Sequence, residues 1–286
     1  MSSDPPSRLP GWLDKRLQWE DTAEMKQLLR RGGVHTICED ARCPNMSECF
    51  KRRTATFLLL GEQCTRGCAF CNVSRGAPAP VDSREGDQIA ETARALGLKY
   101  VVLTSVTRDD LSDGGSGHFA GAVRTLKRRI PSLKVEVLTP DFLGEENHVR
   151  TVMEAAPDVF AHNLETVRSL TPKVRSKASY DRSLQVLRDA GEMSKGTLIK
   201  SGIMVGLGET AQEVRETLGD LRDAGCHAVT IGQYLQPNRT CMPVRRYVEP
   251  TVFEDYKKTA QEMGFRKVFA GPYVRSSYLA DELFPE

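Results

Sequence analysis

An α/β fold with a parallel sheet is predicted by three observations. Short β-rich apolar runs recur along most of the chain, and stretches with helical spacing separate them. The runs are mostly continuous rather than strictly alternating, as befits parallel strands covered on both faces. Six strand–helix units in succession favour an α/β barrel or a doubly wound sheet.

The strand-like runs fall at 54–60, 100–104, 134–138, 158–162, 198–205 and 228–231. Each holds Val, Ile, Leu, Thr or aromatic residues in blocks too short for a helix. Between them, apolar residues recur at helical spacing over 88–96, 119–130, 147–156, 183–190 and 211–224. A later helix at 252–263 and a strand-like 267–270 follow. Residues up to about 53 do not share this rhythm. The expected division is therefore an N-terminal extension at 1–53 laid over the barrel, a barrel at 54–240 and a C-terminal extension at 241–286.

Composition bounds the partners. Lys plus Arg number 40 against 38 acidic residues, so no global field argues for nucleic acid. Local basic clusters occur at Arg30-Arg31, Lys51-Arg52-Arg53 and Lys127-Arg128-Arg129. The cluster at 51–53 follows a cysteine-rich stretch and is expected to meet an acidic partner. No apolar run reaches bilayer length, and the polar, proline-rich start lacks a secretory stretch. A soluble protein of the cytoplasm, in a reducing compartment, is expected.

Six of the eight cysteines form two triads, Cys38-x4-Cys43-x5-Cys49 and Cys64-x3-Cys68-x2-Cys71. Thiolates so closely spaced converge on a metal or an iron–sulfur cluster. Simple sites want four protein ligands, so each triad leaves one position open to chemistry. Disulfides suit small secreted domains and zinc knuckles come as paired CxxC, and neither pattern is present. Cys226 and Cys241 read as core or loop thiols. Polar or glycine-rich segments end several strands: Thr104–Asp110 with Gly114-Gly115, then His162-Asn163-Leu164-Glu165, Gly206-Leu207-Gly208-Glu209 and Gln233–Pro237. Loops at the C-terminal ends of barrel strands are where sites collect.

The second triad, with Phe70 before its last cysteine and its place after the first strand, resembles the signature of radical S-adenosylmethionine (SAM) enzymes. The first triad, within Thr36–Asn45, resembles the auxiliary-cluster motif of lipoyl synthases. Asp113-Gly114-Gly115, His162–Thr166, Lys200-Ser201-Gly202, Thr230–Pro237 and the terminal Arg275-Ser276-Ser277-Tyr278 extend that likeness over nearly the whole chain.

The resemblance implies a partial barrel of six strand–helix units closed by both extensions. It implies two [4Fe–4S] clusters and SAM, with sulfur inserted at C6 and C8 of an octanoyl chain carried on a lysine. Cys64, Cys68 and Cys71 would hold the SAM cluster. Cys38, Cys43 and Cys49 would hold the auxiliary one, the sulfur source, with Ser277 as fourth ligand and Ser276 as the alternative. Phe70, Thr104, Ser105, Asn163, Glu165, Arg175, Met204 and Gly206 carry over as SAM contacts. Partners implied are octanoylated carrier domains of 2-oxoacid dehydrogenases or the glycine-cleavage H protein, a flavodoxin or ferredoxin-type reductant, and a cluster-repair carrier. Nucleic acid and membrane are not implied. Rival readings are another sulfur-inserting radical SAM enzyme, a non-catalytic cluster carrier and a zinc-stabilised interaction protein.

Overall fold

The computed structural model describes residues 9–14, 27, 29, 32–40 and 43–284. Arg30-Arg31 lie outside these. The elements are α1 (Ile37–Asp40), α2 (Met46–Lys51), β1 (Thr54–Leu59), β2 (Gln63–Cys64), β3 (Ser74–Arg75), α3 (Glu85–Ala95) and β4 (Tyr100–Ser105). Next come α4 (Ser116–Arg129), β5 (Lys134–Leu138), α5 (Glu146–Met153), β6 (Val159–Ala161), α6 (Thr171–Val174) and α7 (Tyr180–Met193). The series ends with β7 (Leu198–Val205), α8 (Ala211–Asp223), β8 (Ala228–Gln233), α9 (Pro250–Glu262) and β9 (Lys267–Gly271).

Seven strands form one parallel sheet in the order β1-β4-β5-β6-β7-β8-β9. Neighbours in sequence are neighbours in space, and α3, α4, α5 and α7 pack side by side outside the sheet. The strand-like run near 267 thus becomes a seventh strand against β8. β1 and β9 are edges that do not pair with each other, so the barrel is partial. The segment before β1 lies along that edge: Thr36 bridges Phe57 antiparallel, and Leu58 N–H donates to the His35 carbonyl at 2.9 Å.

The C-terminal segment occupies the concave side. Arg275 donates to the Gln233 carbonyl at the end of β8, Ser276 to Asn163 beyond β6, and Ser277 accepts from Thr56 on β1. One short segment touches three well-separated strands only if the sheet curls around it. Gly232 makes room for this crossing, since a Cβ there would lie 2.1 Å from the Val274 carbonyl oxygen. Farther along, Ala280, Leu283 and Phe284 pack on Tyr100, Val102, Val159 and Ala228, closing the base where the strands begin.

The interior also holds charge. Lys200 and Glu136 are both fully buried, 2.9 and 3.1 Å apart through the two carboxylate oxygens. Tyr100 donates its hydroxyl to the same carboxylate at 2.7 Å.

Two members of the basic cluster at 51–53 also have partners within the chain, while Lys51 and Arg53 are exposed. Arg52 is bound by Asp281 at 2.6 Å and Glu282 at 2.9 Å. Arg53, at φ +58°, donates to the Leu96 carbonyl. Arg52 thereby fastens the tail, and Arg53 the end of α3.

Candidate cluster and cofactor site

The second triad sits where β1 ends. The two-residue pairing of β2 with β3 ties Cys64 to Arg75, so 64–75 is a closed loop. Cys64 Sγ accepts from the Arg66 and Thr107 amides, both at 3.4 Å, and Cys71 Sγ from the Val73 amide at 3.5 Å. Such N–H donors stabilise thiolate and cluster sulfur. Arg66, buried between Cys64 and Cys68, donates to Asp109 and, at 2.7 Å, to Asp141, which Arg182 also meets. Burial would raise Asp141, but the hydrogen bond and charge of Arg66 overcome it and hold the carboxyl below its usual range. The loop is therefore braced from β4, β5 and α7 together.

Burial pushes the Cys71 thiol up to about 12, with Cys68 and Cys64 adding to the rise against the Val73 amide. Cys68 is raised chiefly by burial as well. Thiols raised in this way ionise when a cation shares the pocket.

The first triad rises from consecutive short turns. The Cys43 amide donates to the Cys38 carbonyl at 3.0 Å, and the Cys49 amide to the Asn45 carbonyl at 2.9 Å. Burial is the main cause of a raised Cys38 pKa, reinforced by nearby Cys43 and Cys49 and opposed by hydrogen bonds from Thr56. Thr56 Oγ1 also donates to Ser277 Oγ at 3.0 Å. Arg275 lies within the field of Cys43, and Tyr278 within that of Cys49. Asn45 donates to the Tyr273 carbonyl at 2.6 Å, and Tyr278 to Glu48 at 2.8 Å. The tail and the triad thus form one site from opposite ends of the sequence.

All six thiols are free. Among the described residues, no three His, Cys, Asp or Glu side chains converge closely enough for a single metal ion. A mononuclear site needs that convergence, whereas a cluster takes each thiolate on a different iron. The donor sets fit clusters.

The residues expected to contact SAM line the strand ends. Phe70 and Met204 pack on an apolar group of Val174, Leu207, Tyr234, Met242 and Val244. Thr104 donates to the Leu138 carbonyl, while the buried Ser105 hydroxyl has no protein partner. Asn163 Nδ2 donates to Glu165 at 3.1 Å, and Glu165 sits at φ +66°, its amide held by the Gly202 carbonyl. Burial raises the Glu165 pKa against the pull of Arg175. Arg175 is buried and spends Nη1 on the Asn163 and Leu164 carbonyls at 3.1 Å. Gly206 has φ +97°, and a Cβ there would lie 2.2 Å from Gln233 Nε2. The amides of Gly206, Leu207 and Gly208 all donate to the Glu209 carboxylate, at 2.6, 2.9 and 3.1 Å. That loop is capped by its own glutamate, leaving those donors unavailable to a phosphate.

Three participants were not legible beforehand. Thr56 reads as an ordinary strand residue and Arg66 as a solvated one. Cys241, expected to be a core or loop thiol, is buried as such, but its Sγ lies 3.5 Å from the Cys71 carbonyl.

His162 behind this face is also buried. Its Nδ1 donates to the Thr139 carbonyl at 2.9 Å, and Nε2 has no protein partner. Burial and then Arg175 lower its pKa to about 4, against Asp141 and the Thr139 bond. The unfolded chain protonates this ring below about pH 6.5, so stability falls from there towards pH 4 and is retained above. Between roughly pH 7.5 and 5.5, His162→Asn is expected to lose about 1 kcal/mol less stability than the parent in chemical denaturation. An unchanged pH dependence would contradict a neutral buried ring.

The Radical SAM superfamily model matches residues 58–233. A lipoyl synthase of Caldicellulosiruptor saccharolyticus is 52% identical over 277 residues, spanning 96% of this chain and 97% of its own. One from Methylococcus capsulatus is 50% identical over 279 residues, spanning 97% and 87%. The crystal structure of a methylornithine synthase superposes with a TM-score of 0.57 at 16% identity, covering 85% of this chain and 81% of that one. At that identity the likeness speaks for the fold alone.

Proposed function

The chain belongs to the radical SAM superfamily and, within it, to the lipoyl synthase family, and from that premise we propose a division of labour among its residues. Its activity is sulfur transfer: two sulfur atoms inserted at C6 and C8 of a protein-bound octanoyl-lysine. When bound, the clusters and SAM supply the one-electron chemistry that opens an unactivated C–H bond and the sulfur that replaces its hydrogen.

Cys64, Cys68 and Cys71 hold the SAM cluster, on a loop that Arg66 braces through Asp109 and Asp141. Phe70 and Met204 form an apolar wall for the adenine, with Gly206 at the turn beside it. Thr104 and Ser105 meet the amino group, for which the unpaired Ser105 hydroxyl is a ready acceptor. Asn163 and Glu165 face the ribose. Arg175 fixes the backbone of that turn and brings positive charge towards the methionyl carboxylate.

Cys38, Cys43, Cys49 and Ser277 hold the auxiliary cluster. The observation that carries this assignment is Thr56, whose hydroxyl reaches both Cys38 and Ser277. Ser276 is directed to Asn163 instead. An alkoxide is a harder ligand than thiolate, so Ser277 would be the odd donor among the four residues that would hold the auxiliary cluster.

The substrates are octanoylated carrier domains, of a 2-oxoacid dehydrogenase or the glycine-cleavage H protein. A flavodoxin or ferredoxin supplies electrons, and a cluster carrier rebuilds the consumed site. No described helix is long and apolar enough to cross a membrane, and we place the enzyme in the cytoplasm.

The test is an anaerobic single turnover of reconstituted enzyme with SAM, a strong reductant and an octanoyl-lysyl peptide, read by mass spectrometry. Two added sulfurs are expected. SAM cleavage with a sulfur-free peptide would overturn the substrate assignment and leave the SAM half standing.

A further inference from the structure

The two adjacent serines of the tail point to different sites. Ser277 meets Thr56 beside the Cys38 triad, whereas Ser276 Oγ donates to Asn163 Oδ1 at 3.1 Å. Asn163 passes the contact on, because its Nδ2 donates to Glu165 Oε1 at 3.1 Å. A carboxylate only accepts, so it orients the amide and leaves Oδ1 to the serine. Asn163 is also confined from below: a Cβ on Gly202 would approach its Oδ1 to 3.0 Å and Thr230 Oγ1 to 2.4 Å.

The backbone at each end of this chain of contacts is fixed. Glu165 is clamped at φ +66° between the Gly202 carbonyl and the Met204 amide. Val274 is pressed on Gly232, and Arg275 is tied to the Gln233 carbonyl. What remains adjustable is the Ser276–Ser277 peptide and the orientation of the Ser276, Asn163 and Glu165 side chains. A peptide unit joins Ser276 to Ser277, so the position of one constrains the other.

We propose that Ser276 is a positioning residue that couples the auxiliary site to the SAM site, through Asn163 and Glu165. While Ser277 is held, Ser276 keeps Asn163 turned so that the Glu165 carboxylate faces the ribose. When Ser277 is released, Ser276 shifts with it and the SAM pocket loosens. SAM affinity thereby depends on whether the sulfur-donating site is intact. Linkage makes the dependence mutual: SAM binding must favour the Ser277-held state by the same factor. The proposal rests on the reading of Asn163 and Glu165 as SAM contacts.

The test uses the reconstituted full chain carrying its clusters, with SAM dissociation constants measured by anaerobic equilibrium dialysis. Ser276→Ala is expected to weaken SAM binding about 3- to 10-fold, the worth of one ordinary hydrogen bond. Asn163→Ala should weaken it at least as much, and the double variant no more than Asn163→Ala alone, since the residues act in series. Ser276→Thr, which keeps the hydroxyl, should restore binding. Iron content should be unchanged in Ser276→Ala. In the parent, adding SAM should alter the Mössbauer signature of the auxiliary cluster, and in Ser276→Ala it should not. If Asn163→Ala weakens SAM binding and Ser276→Ala does not, the coupling is refuted. If neither weakens it, the SAM-contact reading of Asn163 falls and the coupling with it. If Ser276→Ala loses about half its iron, Ser276 is itself the ligand and the proposal is overturned.

Discussion

Replacing Cys38 with alanine is expected to abolish sulfur insertion while SAM cleavage continues. Cys38 is the buried member of its triad and the one bonded to Thr56. Without it only two thiolates remain, one short of the three that the other triad offers its cluster, so iron should fall from about eight to about four per chain. The Cys64–Cys71 loop is held by Arg66, Thr107 and the β2–β3 pairing, none of which involves Cys38. At saturating SAM, deoxyadenosine release, followed by chromatography, should therefore persist while the peptide gains no sulfur. Loss of both together would mean that the two sites are not separable. Sulfur insertion that survives in Cys38→Ala would mean that the sulfur comes from elsewhere.

The largest loss of stability is expected from Glu136→Gln. Lys200 is fully buried and its ammonium is shared between both Glu136 oxygens. Removing one partner of a buried pair strands the other charge in a medium that cannot solvate it, at a cost of about 3–5 kcal/mol. Tyr100 keeps an acceptor in the amide oxygen, so its bond adds little to the loss. The melting temperature should fall by roughly 10 °C. Replacing both partners, Glu136→Leu with Lys200→Met, removes the stranded charge and should recover most of the fall. If Glu136→Gln melts like the parent, the pair is not desolvated as the structure has it.

Much of the barrel was legible because each strand is a compact apolar block flanked by helical spacing. The run at 198–205 matches β7 residue for residue, and the helix expected at 211–224 differs from α8 only at its end. Local pattern says less about short or half-buried elements. The β2–β3 pair spans two residues per strand, below the length at which periodicity exists. The strand-like 267–270 carried no sign that it would join the main sheet, since partner choice depends on topology. The cysteine triads marked the candidate site through spacing, yet the residues that brace those segments were not marked. Thr56 and Ser277 stand 221 positions apart, and Arg66 is bonded by carboxylates 43 and 75 positions away. The cluster at 51–53 hid one internal contact for the same reason, since Asp281, which meets Arg52, stands 229 positions away.

Arg52 meeting Asp281, Asn45 meeting Tyr273 and Tyr278 meeting Glu48 join segments more than two hundred positions apart. Such contacts are the last a growing chain can make. During synthesis Cys38, Cys43 and Cys49 emerge well before the segment near 275 that meets their stretch of chain. If Ser277 holds the auxiliary cluster as proposed, a cluster inserted at that early stage would lack that ligand. On that assignment complete loading would follow translation of the tail, and a variant that delays barrel closure would lengthen the interval in which the thiols stand without Ser277.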